Sequence, residues 1–118
     1  PALFGAAHAF VTANHNDACP TTVIEAMSSG LPVIYAASGG VPELVGGDAG
    51  VALTTGESWD EMLVPEPQDI GDAMLRVAEN HAALSAAARS RAVERFDLGA
   101  WLERHRQVFQ SLVAGRHG

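Results

Sequence analysis

Two short apolar runs, residues 9–12 (Ala-Phe-Val-Thr) and 32–36 (Pro-Val-Ile-Tyr-Ala), flank a stretch of helical periodicity, and this alternation constrains the fold more than any other feature. Strand, helix, strand in that order is a βαβ unit, whose crossover helix makes the two strands parallel. The helix is predicted over residues 20–29. Proline is tolerated in its first turn, Val23, Ile24 and Met27 make an inward stripe, and Gly30 ends it. A helix tail over residues 2–7 precedes the first run. A helical turn at 42–45, a Gly46-Gly47-Asp48 turn and a third strand at 50–53 follow the second. The fold class is α/β with a parallel sheet.

Residues 54–67 read as a loop with at most one ordered turn, punctuated by Gly56, Pro65 and Pro67 and anchored by Trp59, Met62 and Leu63. Helices are expected over about 69–80, 82–95 and 99–113, the last with Leu102, His105, Val108, Phe109 and Leu112 on one repeat. The 118 residues suit one domain in two portions, 1–66 with the βαβ unit and 67–118 helical. Three strands with three trailing helices form an unbalanced unit, because parallel sheets are normally covered on both faces. The expectation is therefore that further sheet precedes Pro1.

Charge narrows the partners. The net charge is −7, residues 1–75 contain no Lys or Arg, and all seven cations are Arg from Arg76 onward. Phosphate backbones are bound mainly by cations, so nucleic acid is not expected as a partner. A single cysteine, Cys19, permits no internal disulfide and no cysteine-type zinc site. No apolar run reaches the roughly 18 to 20 residues that span a bilayer, and no leader opens the chain. A cytoplasmic location is the expectation, with peripheral attachment to the inner membrane face left open.

Asp17 and Glu25 stand eight positions apart around the start of the helix, with Cys19-Pro20-Thr21-Thr22 between them. The first four N–H groups of a helix lack intrahelical partners and carry the positive end of its dipole, so this turn is able to hold a phosphate oxygen without any cation nearby. The spacing alone admits a second reading, since Thr22 and Glu25 also match a capping box, and Asp17 an ordinary turn acid. Gly39 and Gly40 suit either close approach to a phosphate or, more simply, a tight turn. Glu43 reads as a brace for its own loop, and His15, with no second ligand at metal spacing, as facing solvent. His81, His105 and His117 read as surface residues.

The stretch from Asn14 to Met27, Asn-His-Asn-Asp-Ala-Cys-Pro-Thr-Thr-Val-Ile-Glu-Ala-Met, and then Gly30-Leu31-Pro32-Val33-Ile34, resembles the signature of the retaining glycosyltransferases of family GT4. Ser38-Gly39-Gly40-Val41-Pro42-Glu43-Leu44-Val45 and Gly47-Asp48-Ala49-Gly50 stand where that family has a Gly-Gly-x-Pro-Glu loop and a Gly-Asp-Ala-Gly turn. About half the chain is covered, in order and at family spacing. The resemblance implies part of a Rossmann-like, donor-binding C-terminal domain of the GT-B fold. The implied reaction moves a sugar from a nucleotide diphosphate donor to an acceptor hydroxyl, with retention and without a required metal or cofactor.

Carried over residue by residue, the resemblance makes Asp17 the catalytic-site acid that touches the donor sugar and Glu25 the acid that holds the ribose. It puts the Thr21 and Thr22 amides on the diphosphate, Cys19 in the sugar pocket, and Gly39 and Gly40 beside the donor. Two departures stand out: the first acid is Asp where the family usually has Glu, and Pro20 replaces a common Gly, removing one backbone donor. They bear on which sugar is held. The family's basic residues, nucleobase pocket and acceptor domain lie upstream, so the stretch alone is expected to be inactive, and its last helix to leave an apolar face that favours self-association. An epimerase-like enzyme and a non-catalytic scaffold descended from a transferase are the alternatives.

Overall fold

The computed structural model describes residues 2–56 and 58–115. Its elements in chain order are α1 (Ala2–Ala6), β1 (Phe10–Thr12), α2 (Thr21–Ser28), β2 (Val33–Ala36), α3 (Val41–Val45), β3 (Gly50–Leu53), α4 (Pro67–Glu79), α5 (His81–Phe96) and α6 (Leu98–Ala114). The three strands form one parallel sheet in the order β1-β2-β3. Phe10 pairs with Val33, and Val33 in turn with Gly50. A Cβ at Gly50 would sit 2.0 Å from the Val33 carbonyl oxygen, so only glycine fits this register.

Strand β2 is buried throughout, as the central strand of a sheet covered on both faces must be. Its side chains alternate between two cores. Val33 and Tyr35 join Val23 and Met27 of α2, Val41 and Val45 of α3, and Ala88 and Ala92 of α5. Ile34 points the other way, toward Val51 and Leu53 of β3 and Ala73 and Val77 of α4.

Helix α2 ends in a Schellman motif. Gly30 has φ +76°, its N–H bonds to Met27 at 2.9 Å, and the Leu31 N–H reaches back to Ala26 at 3.0 Å. Helix α5 then closes off two helix tails with its side chains. Arg89 donates to the Ser28 carbonyl and Ser85 Oγ to Gly30 at 2.7 Å, while Arg91 Nε and Nη2 donate to Leu44 and Glu43 at 2.7 Å each. These bonds satisfy carbonyls that the helices cannot. Glu43 takes part through its backbone oxygen alone, and its side chain, expected to brace its own loop, is exposed.

Helix α6 opens with Asp97, whose Oδ1 accepts from the Ala100 N–H at 2.8 Å. It buries no residue, and Trp101, Leu102, Val108, Phe109 and Leu112 are exposed along it. His105 stacks on Trp101 with ring centroids 3.7 Å apart. His81 Nε2 donates to the His8 carbonyl at 2.9 Å, and His117 lies outside the described residues. No helix among the described residues is long and apolar enough to cross a membrane.

Candidate functional site

The site is built where the loop after β1 turns into α2. Pro20 is the N-cap of α2, with φ −71° and ψ 111°, and supplies no side-chain cap. The capping box left open by the spacing is therefore not formed: Thr22 lies inside the helix, and Glu25 is too far along it to reach the cap. The Val23 N–H bonds to the Pro20 carbonyl at 3.1 Å, but the Thr21 and Thr22 N–H groups have no protein partner among the described residues. Both threonines are exposed, so these orphan donors open to the surface at the positive end of the helix.

Glu25 is exposed, and it follows Thr21 by four positions and Thr22 by three, which puts all three on one helix face. Cys19 is exposed and free, and Asp17 is half-buried. Asn14 Nδ2 lies 3.4 Å from Asp17 Oδ2 and donates to it. Asp17 and Cys19 thus lie on the loop that leads into α2, and Thr21, Thr22 and Glu25 on the exposed face of its first turns. The clefts elsewhere, such as the one of about 420 Å³ between β3 and α4 lined by Leu53, Asp69 and Arg76, share none of these residues.

Gly39 and Gly40 hold the Asp17 loop from behind. Gly39 has φ +63°, and a Cβ there would lie 2.5 Å from the Asp17 carbonyl oxygen. A Cβ at Gly40 would lie 1.8 Å from the Ala18 oxygen, and the Gly40 N–H donates to the Asp17 carbonyl at 2.9 Å. Packing of backbone on backbone requires glycine at both positions. Buried Ser38 adds to this grip, its Oγ accepting from the Asn16 N–H at 3.0 Å.

Sequence reasoning missed the residues on the other side of the loop. His15, expected to face solvent, is half-buried: its Nε2 donates to the Ser58 carbonyl at 2.9 Å, while Nδ1 is buried without a partner among the described residues. Asn16 Nδ2 donates to the same carbonyl at 3.0 Å. Asn16 also has φ +50°, a left-handed conformation that asparagine tolerates better than most residues, and that tolerance was the one local signal in the sequence.

A family model described as "Glycosyl transferases group 1" matches residues 1–80, more than half of the chain. The chain belongs to the group 1 glycosyl transferases. Among solved structures, sucrose-phosphate synthase of Thermosynechococcus elongatus superposes with TM-score 0.79 over 96% of this chain and 27% of its own, at 24% identity. HepE of Anabaena, solved with UDP, superposes with TM-score 0.77 over 92% of this chain and 29% of its own, also at 24% identity. The same protein solved with UDP-glucose gives TM-score 0.73. No curated protein matches the sequence.

This group 1 glycosyl transferase chain therefore spans less than a third of the length of those structures. Its three-stranded parallel sheet and flanking helices match part of the Rossmann-like C-terminal half of the GT-B fold, as the resemblance implied. Across the family match, the Asp17 to Glu25 edge falls at the C-terminal end of β1 and ahead of β2, the side of an open parallel sheet where ligands bind.

Proposed function

We propose that the full-length protein transfers a sugar, of hexose type, from a nucleotide diphosphate donor to an acceptor hydroxyl with retention, as a member of family GT4. The observation that carries this reading is the pair of N–H groups at the exposed residues Thr21 and Thr22, without protein partners among the described residues and flanked in sequence by Asp17 and Glu25. In this reading the two amides meet the diphosphate, whose negative charge grows as the sugar leaves, so they act most strongly at the transition state. The charge is met without a divalent ion. Asp17 contacts the sugar as the catalytic-site acid, Cys19 lines its pocket, Glu25 accepts from the ribose hydroxyls, and Gly39 and Gly40 bring backbone close to the donor.

Family membership favours transfer over the epimerase-like alternative and over a scaffold. The structures solved with UDP and UDP-glucose support a nucleotide sugar as the ligand class. An N-terminal acceptor domain completes the enzyme in this reading, and the apolar face of α6 is where such a domain, or a second copy of the isolated chain, is covered. The location proposed is the cytoplasm, with or without peripheral contact with the membrane. Calorimetry of the full-length protein with UDP, GDP and ADP tests the reading: one nucleotide binds, and Glu25→Ala weakens it by about tenfold or more. Silence toward all three would leave the scaffold as the better account.

A further inference from the structure

Asp17 lies on the irregular loop between β1 and α2, so no helix or strand sets the direction of its carboxylate. Among the described residues the carboxylate itself is held only by a long contact, 3.4 Å to Asn14 Nδ2. The strong contacts converge on the residue before it. The Asn16 N–H donates to the Oγ of buried Ser38 at 3.0 Å, and Asn16 Nδ2 donates to the Ser58 carbonyl at 3.0 Å. Gly39 backs the peptide that joins Asn16 to Asp17: a Cβ there would lie 2.7 Å from the Asn16 carbonyl carbon and 2.8 Å from the Asp17 nitrogen. Ser38 and Gly39 follow β2 and Ser58 follows β3, so the segments leaving two strands fix one peptide of the loop.

Asn16 has φ +50°, a conformation that persists in a non-glycine residue where its surroundings over-determine it. The residue type meets two demands at once. Glycine would take the left-handed turn freely but bring no side-chain donor. Aspartate would tolerate the turn but set a carboxylate against the Ser58 carbonyl, acceptor against acceptor. Asparagine tolerates the turn and supplies the amide.

We propose that Asn16 is a positioning residue for Asp17, aiming the carboxylate at the donor sugar and acting only through that acid. The inference rests on the transferase reading above and deepens it. The left-handed turn sets where the chain points as it leaves Asn16, and the Ser38 and Ser58 bonds keep the turn from relaxing. The Thr21 and Thr22 amides are held separately, by the helix they open. Loosening Asn16 therefore moves the acid and leaves the diphosphate amides in place.

The test uses the full-length protein, with UDP, GDP and ADP for binding and UDP-, GDP- and ADP-glucose for turnover, read as nucleotide released with water or glucose as acceptor. Asn16→Gly keeps the turn and drops the Ser58 bond, whereas Ser38→Ala drops the bond to the Asn16 N–H. Each is expected to slow release at saturating donor by about tenfold or more, because a small displacement of a reacting group is that costly. Each is expected to keep the parent's nucleotide affinity within about twofold, which a general loss of structure would not do. In an Asp17→Ala background, Asn16→Gly is expected to slow release no further, since the acid it positions is gone.

Release at the parent rate in either single variant, nucleotide affinity that falls in step with release, or a further loss in the Asp17→Ala background would each overturn the proposal. A parent that releases no nucleotide from any donor would instead remove the transferase reading, and an Asp17→Ala variant as fast as the parent would remove Asp17 from it; the proposal falls with either.

Discussion

The Asp17 carbonyl accepts the Gly40 N–H at 2.9 Å, and the space where a Cβ of Gly40 would go is filled by the Ala18 oxygen 1.8 Å away. The loop that carries Asp17 is thus packed, backbone on backbone, against the turn that starts α3. Gly40→Ala has nowhere to put its methyl, and Ala18 must retreat by an ångström or more. The expected cost is about 1–3 kcal/mol of stability, from overpacking. The expected fall in transfer rate of the full-length protein is larger, roughly a hundredfold, because an ångström of displacement in a reacting geometry is that costly. Chemical denaturation and turnover on the same preparation check both; full activity with lowered stability would separate the turn from the site.

Thr21→Pro isolates the amide that the functional reading depends on. Thr21 is the first helical residue, its N–H has no protein partner among the described residues, and Pro20 already has the extended conformation that a following proline demands. Stability is expected to change by less than about 1 kcal/mol, since proline suits this helix position. Affinity for a nucleoside diphosphate is expected to fall by about tenfold or more, because a hydrogen bond to a charged oxygen is lost. Thermal melts and calorimetry with UDP, GDP and ADP make the comparison; unaltered affinity in the folded variant would take Thr21 off the diphosphate.

The difference between what the sequence disclosed and what it hid tracks the range of the interactions. Val33, Ile34 and Tyr35 alternate between two cores, and the apolar run at β2 announced a strand buried on both faces. Gly30 marked the end of α2 because the Schellman bonds it makes reach only to Met27 and, through Leu31, to Ala26. The grip on the Asp17 loop was invisible for the opposite reason. Ser38 reaches Asn16 across 22 positions and Ser58 reaches it across 42, and no local pattern encodes such pairs. The sequence left the capping box open because its four residues have the right types in the right order, while Pro20 starts the helix too early for them to act together.

Arg91 is expected to matter more than its position on a distant helix suggests. Its Nε and Nη2 hold the Leu44 and Glu43 carbonyls at the tail of α3, and α3 starts from the turn that grips Asp17. Arg91→Met keeps the packed stem but drops both charged hydrogen bonds, at a cost of about 2 kcal/mol given that the group is partly exposed. Arg91→Lys should recover little, since an ammonium cannot reproduce a planar fork aimed at two carbonyls. Denaturant midpoints of the three proteins decide it, and a lysine variant as stable as the parent would show that charge alone suffices.

Tyr35 gives the fold a limit at alkaline pH. Burial pushes its phenol above the ordinary tyrosine range, and the nearby Arg91 guanidinium only partly offsets this. The folded chain therefore holds the Tyr35 proton at a pH where the unfolded chain has released it. The stabilisation is complete below the ordinary tyrosine range and is lost as pH climbs through it toward the raised value. Tyr35→Phe removes the group and gives up only a long hydrogen bond, 3.4 Å to the Gly46 carbonyl, so its stability near neutral pH is expected to lie within about 1 kcal/mol of the parent. From about pH 10 upward the parent should lose unfolding free energy more steeply than the phenylalanine variant, and the two curves should converge or cross. Denaturant midpoints from neutral pH to about pH 11 measure the difference. Parallel curves across that span would mean that the phenol ionises as freely in the folded chain as in the unfolded one.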